Sequence, residues 1–224
     1  MRCRYVRQPA GRKCKLKRGR ALKVESTSIP DVKVITPVIY ADERGFFSEV
    51  YNRHVFAKHG IDLAFVQDNC SFSLRKGTIR GLHFQLPPCA QHKVVRVSRG
   101  SIFDVAVDLR FGSPTYGRHV TVVLSRSEGN QLLVPVGFAH GFCTLEDETE
   151  VVYKVSEFYE PAYDSGIFWA DPDLGIEWPT APAAATLSAK DRALPPFERS
   201  SPVFHYSAHG SNQSGASRVG DDAA

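Results

Sequence analysis

Nowhere in its 224 residues does the chain hold a CxxC pair, and its five cysteines (Cys3, Cys14, Cys70, Cys89 and Cys143) are odd in number and widely scattered. That argues against a disulfide framework and against a structural zinc site, whose ligands cluster at short spacings. A reducing compartment is expected. No run approaches the roughly 20 consecutive apolar residues that span a bilayer. Charges also occupy the N-terminus, where a secretory signal would carry its apolar stretch, so the expectation is a soluble cytoplasmic protein with no membrane partner. The glycine loops GxGxxG and GxxxxGK[ST] are missing too. Any nucleotide would have to be held by side chains rather than by a glycine cradle. No internal repeat is present, and helical periodicity is scarce. It is confined to the run from Asn52 to His59, stopped by Gly60, and to LSAKDRAL, which Ser188 can cap and Pro195 cuts short.

Acidic residues are absent from positions 1–24, which hold ten of the 28 lysines and arginines. The remainder carries 18 basic against 24 acidic residues and is therefore acidic. That balance argues against nucleic-acid binding by the body of the protein, because phosphate affinity needs clustered cations. Residues 1–23 are expected to form a disordered basic extension, since like charges repel. Residues 200–224, rich in Ser, Gly, Asn and Asp, are expected to form a disordered tail that buries no apolar face. Residues 24–199 remain as one domain of ordinary size.

That domain reads as all-β. Short alternating or β-branched runs (VKVITPVIY, FFSEVY, HKVVRVSRG, SIFDVAVDLR, HVTVVLS, NQLLVPVG, HGFCTL and EVVYKVSEFY) are separated by Gly, Pro, Asp and Ser turns, the pattern of a sandwich or barrel. In SIFDVAVDLR, Ile102, Asp104, Ala106 and Asp108 share one face, and Phe103, Val105, Val107 and Leu109 the other. One face should pack a core while the other meets solvent or a cavity.

PVGFAHGF (135–142) has the P-x-G-x-x-H arrangement that resembles the second motif of cupin jelly rolls, where a turn delivers the histidine into the barrel. Metal-binding cupins add an H-x-H and a carboxylate from a first motif. Here that place reads Gly81-Leu82-His83-Phe84-Gln85, and two histidines without a third ligand make a poor divalent-metal site. No metal is expected. DERGFFSEVYN (42–52), FVQDNCSFS (65–73), IRGLHFQ (79–85), AQHKVVRV (90–97), FDVAVDLRFGSPTYG (103–117), VPVGFAHGF (134–142), VYKVSEFYEP (152–161), FWADPDLGIEWP (168–179) and LSAKDR (187–192) together resemble the dTDP-4-dehydrorhamnose 3,5-epimerase family over residues 24–199. The resemblance implies a cupin-type jelly-roll barrel with a few short helices, acting without a cofactor as a homodimer with strand exchange.

It also implies a reaction: inversion of C3 and C5 of dTDP-4-dehydro-6-deoxy-D-glucose to give dTDP-4-dehydro-L-rhamnose, the route to dTDP-rhamnose. Both carbons flank the C4 ketone, so removing either proton leaves an enolate, and returning a proton to the opposite face inverts the centre. Histidine suits the base because its unperturbed pKa of about 6.5 leaves a neutral acceptor available near neutrality. His83 matches the family's base and Asp191 the carboxylate that orients it and stabilises its cation. Lys93 matches the cation facing the developing C4 oxyanion. Tyr153 matches the proton donor on the opposite face, and the alternation of its strand puts Val151, Tyr153 and Val155 on one side.

Substrate binding falls, by the same resemblance, to Gln67, Asn69, Arg80, His140, Tyr159, Asp164 and Lys190. Arg44, Phe47 and Glu49 are implied to reach the nucleotide from the partner subunit. Phe47 and Glu49, two apart, would point the same way in an extended strand, offering an aromatic surface beside an acceptor, and arginine's planar fork suits a diphosphate. Asp164 stands where many relatives have Glu, and Tyr40 where Phe is usual. The alternatives left open are a single-centre epimerase or ketoisomerase of a related deoxysugar nucleotide, and a non-catalytic cupin. Cys143 is read as a packed core thiol.

Overall fold

The computed structural model describes residues 21–197 and 203–207. Two antiparallel sheets face one another. The first has six strands in the order β1 (Lys23–Ser26), β2 (Lys33–Thr36), β11 (Gln131–Val134), β7 (Lys93–Arg99), β13 (Thr149–Val155) and β5 (Gln67–Ser73). The second has five: β10 (His119–Ser125), β8 (Ser101–Asp108), β12 (Phe138–Thr144), β6 (Ile79–Gln85) and β14 (Asp164–Gly166). A hairpin of β3 (Tyr40–Asp42) and β4 (Gly45–Phe47) stands apart from both, and β9 (Arg110–Phe111) pairs in parallel with β15 (Phe204–His205). The two helices are short: α1 (Arg53–Lys58), capped by the Asn52 side chain, and α2 (Ala189–Arg192), capped by Ser188. Both fall where the sparse helical periodicity predicts them. Among the described residues no helix is long and apolar enough to cross a membrane.

Alternation explains the layering. Inward-facing Val95, Val97, Leu132, Val134 and Val151 of the first sheet meet Ile102, Ala106, Val120, Leu124, Phe138 and Phe142 of the second in one apolar core. The outer faces are covered as well. Phe56 of α1 with Tyr51, Leu63 and Phe65 packs on Ile35, Val94 and Leu133 of the six-stranded sheet. Ile167, Leu174 and Phe204 pack on Leu82, Phe84, Val105, Val107 and Leu109 of the five-stranded one.

Four expectations need correction. The second face of SIFDVAVDLR is a packed face rather than one open to solvent or a cavity, because the chain after β14 wraps over it, burying Val105 and Val107 completely and leaving Phe103 half-buried. FFSEVY is strand only as far as Phe47; in this chain the following residues find no ladder, and the Ser48 hydroxyl donates to the Val38 carbonyl instead. The segment expected to be tail from residue 200 differs within residues 203–207, where Phe204 is buried against Phe84 at 5.8 Å between ring centroids. A single large apolar side chain with a hydrophobic groove beneath it outweighs a polar local composition. The expected basic extension, residues 1–23, is also corrected at its end, where Leu22 packs against the Ile35 cluster and Lys23 opens β1; residues 1–20, 198–202 and the tail from 208 lie outside the described residues.

Candidate active site

Where the open end of the barrel meets α2, two adjoining cavities of about 350 and 240 Å³ share His83, Lys93, Tyr153 and Lys190 in their walls. His83 gets there through an irregularity. His140 of β12 lies opposite His83, yet Phe142 lies opposite Arg80, so three steps along β6 match two along β12. Arg80 and His83 therefore both face the cavity while Ile79, Leu82 and Phe84 pack outward. Gly81 makes this possible: its φ is +118°, and a Cβ there would lie 2.6 Å from Gly141 Cα and 2.7 Å from the His140 carbonyl.

Nε2 of His83 lies 2.5 Å from Oδ1 of Asp191, across 108 residues of sequence. Asp191 is buried in the first turn of α2, where its N–H donates to the capping Ser188 hydroxyl at 3.0 Å. Burial pushes the Asp191 carboxyl up, but hydrogen bonding and charge from His83, helped by Ser188 and Lys190, outweigh it and hold the pKa below the usual carboxylate value. The carboxylate is thus ionised and fixed, as an orienting partner for an imidazole must be.

Lys93 of β7 enters the cavity from the opposite sheet, and its Nζ donates to the His83 carbonyl at 3.4 Å. Burial depresses its pKa to about 8; Asp164 and Asp104 offset part of that, and Lys190 adds to it. The ammonium still dominates at neutral pH. Asp104, fully buried beneath the site, bonds His140 Nε2 at 2.8 Å through Oδ1, and burial raises its pKa. Its Oδ2 has no hydrogen-bond partner among the described residues.

Tyr153 points inward on β13 with Val151 and Val155, as the alternation predicts, and packs against the core. Its hydroxyl makes no hydrogen bond among the described residues, leaving it available to a ligand. Burial raises its pKa, Arg80 works against this, and Asp164 and Tyr159 add to it, so the phenol stays protonated.

The remaining walls hold the sequence-predicted binding residues. Arg80 donates to Ser73 Oγ and the Phe72 carbonyl. Gln67 Nε2 donates to Asn69 Oδ1 at 2.8 Å, both on the inner face of β5. The Tyr159 hydroxyl donates to Asp164 Oδ2 at 2.9 Å, and Lys190 Nζ bonds the same oxygen. Arg44, Phe47 and Glu49 are elsewhere: they are exposed on or just after the hairpin and line neither cavity of their own chain. The sequence reading missed two kinds of residue. Alternation puts Asp104 on one face of β8 with Ile102 and Ala106 without saying which face is inner; the structure makes it the inner one, where a carboxylate among apolar residues is itself a signal. Gln85 and Gln91, which also line the larger cavity, gave none beyond their even spacing from His83 and Lys93.

The model of the family described as dTDP-4-dehydrorhamnose 3,5-epimerase matches residues 26–199. The chain belongs to this family. A dTDP-4-dehydrorhamnose 3,5-epimerase of Sinorhizobium fredii is 52% identical over 171 residues, covering 76% of this chain and 87% of the relative. Among solved structures, the family member from Bacillus anthracis with TDP and pyrophosphate bound is 50% identical with a TM-score of 0.76, over 79% of this chain and 99% of that one. A Legionella pneumophila dTDP-6-deoxy-D-glucose 3,5-epimerase in complex with dTDP-4-keto-L-rhamnose is 41% identical with a TM-score of 0.80, over 84% and 100%. Family membership and the cupin-type β fold expected from the motifs are thus shown.

Proposed function

We propose that the chain is an isomerase that converts dTDP-4-dehydro-6-deoxy-D-glucose to dTDP-4-dehydro-L-rhamnose, with residues 24–199 as its catalytic domain. The observation that carries the reading is the meeting, in one cavity, of a carboxylate-held histidine, a buried lysine and a half-buried tyrosine whose hydroxyl has no partner among the described residues. Residues from β6, β7, β13 and α2 converge there, which packing alone does not require.

In this mechanism neutral His83 takes the proton from the carbon beside the ketone, and Asp191 stabilises the imidazolium that results. Negative charge grows on the C4 oxygen, and the ammonium of Lys93, itself buried, stabilises it. Tyr153 then delivers a proton from the other face. It is a weak acid at neutral pH, but an enolate carbon is a strong enough base to take its proton. A barrel of fixed strands holds both groups in place, so a rotated sugar can present its second carbon to the same pair.

Gln67, Asn69, Arg80, His140, Tyr159, Asp164 and Lys190 bind the sugar and diphosphate in this reading. Arg44, Phe47 and Glu49 serve the partner subunit's site in a cytoplasmic homodimer, and their exposure on a hairpin outside their own cavity supports that assignment. The test is proton NMR of the dTDP-4-keto sugar in heavy water, with a reductase trapping the product. Loss of signal at both C3 and C5 with an L-rhamno product is expected. Loss at one carbon means a single-centre epimerase, and loss at neither sinks the catalytic reading.

A further inference from the structure

Two residues beyond His83 on β6 stands Gln85, at the place where a metal-binding cupin carries a ligand. Its side chain is buried, and its amide is occupied by protein. Nε2 donates to the carbonyls of Cys89 at 2.6 Å and Phe158 at 3.1 Å, while Oε1 accepts from the Glu160 N–H at 2.7 Å. A carboxamide offers donors and an acceptor together without charge. One such side chain can therefore hold a carbonyl and an N–H two residues apart.

The segment it holds has lost its sheet. β13 ends at Val155, and beyond Ser156 the peptide groups find side-chain partners in place of a ladder. Gln91 Nε2 donates to the Glu157 carbonyl at 2.8 Å, and Gln67 Oε1 accepts from the Tyr159 N–H at 3.0 Å. Three glutamines thus grip four consecutive residues, and all three line the larger cavity. The gripped segment presents Tyr159, whose hydroxyl meets Asp164, which in turn meets Lys190 next to Asp191.

We propose that Gln85 is a positioning residue: it fixes residues 157–160 so that Tyr159 forms one wall of the substrate cavity, and it thereby sets substrate affinity rather than the rate of proton transfer. The kinetic part rests on the epimerase reading; the structural part does not. Gln85→Glu keeps the shape but turns an acceptor oxygen toward the two carbonyls, so the grip should fail.

Amide hydrogen exchange on the ligand-free variant should show the Tyr159 and Glu160 amides exchanging at least about tenfold faster, with the amides of β7 and β12 unchanged. With substrate, KM should rise about tenfold while kcat stays within about threefold. In a Tyr159→Ala background the same change should alter KM by less than about twofold, because the residues act through one another. Should the glutamate variant not fold, Gln85→Met removes the polar atoms at similar volume and is read the same way. Unchanged exchange at residues 157–160 overturns the proposal, and so does a fall in kcat at constant KM, or KM effects that simply add. The exchange measurement needs no substrate, so a failure of the epimerase reading is told apart from a failure of this one.

Discussion

A lysine pulled into a barrel resists keeping its charge, and Lys93 shows the conflict between stability and chemistry at a single residue. Its pKa is lowered from 10.5 to about 8 by burial. The unfolded chain therefore binds more protons than the native one between about pH 8 and 10.5, and stability rises with pH across that window. Below pH 8 the full penalty is present, about 3 kcal/mol at 1.36 kcal/mol per pH unit. Lys93→Met should accordingly stabilise the protein at pH 7 by up to about 3 kcal/mol in urea unfolding, with the gain shrinking from pH 8 to 10.5. Turnover should fall by about 10²- to 10³-fold, because one donor to a developing oxyanion has been removed. In the unaltered protein kcat should decline above pH 8 as the ammonium loses its proton. A variant that is no more stable, or that turns over normally, would show that the lysine is not held charged against its burial.

At this scale the sequence was informative where motif and alternation agreed. Alternation puts Tyr153 on one face with Val151 and Val155, His83 and Lys93 are marked by the motifs alone, and the structure brings all three to one cavity. Arg80 was harder: strict alternation from His83 would turn it outward, and only the register shift at Gly81 brings it in. Gln85 was invisible as a positioning residue, because a side chain that binds the backbone of a distant loop leaves no periodic trace.

Among elements, β2, β7, β8 and β10 to β13 were legible from alternating or β-branched runs and the two helices from the Gly60 stop and the Ser188 cap, whereas β5 and β6, whose polar and glycine-interrupted sequences break the apolar alternation, were not. Nor was it legible which strand faces are covered from outside. Val105, Val107 and Leu109 alternate like any half-exposed strand, and their cover comes from Ile167, Leu174 and Phe204, between 58 and 99 residues away in sequence. Phe204 gives this a measurable consequence. It lies beyond the 26–199 match to the family, yet it is buried beneath Phe84, between His83 and Gln85 on the strand that carries the base. Phe204→Ala should lower unfolding free energy by about 3 kcal/mol, as buried Phe truncations do. Arg110, stacked between Phe138 and Tyr206 with its guanidinium 4.5 and 5.1 Å from the ring centroids, holds the same strand down. A loss below 0.5 kcal/mol in urea unfolding would mean that β15 merely rests on the barrel.

For the whole molecule, the hairpin is the element that one chain does not explain. Tyr40 and Phe47 are 61% and 68% exposed, Arg44 pairs among the described residues only with its neighbour Asp42, and none of the three touches the cavity. An aromatic pair and an arginine left on a projecting ribbon have a use if a second copy's site receives them, which is the homodimer proposed above. A subunit-mixing experiment tests this directly. His83→Ala removes the base but leaves the hairpin intact, while a combined Arg44→Ala and Phe47→Ala variant keeps the base and loses the hairpin. Each alone should be nearly inactive. If hairpins are exchanged, refolding the two together in equal amounts makes half the dimers hybrid, and each hybrid holds one complete site, restoring about a quarter of normal activity. If each chain serves its own cavity, no hybrid contains a complete site and the mixture stays as inactive as its parts.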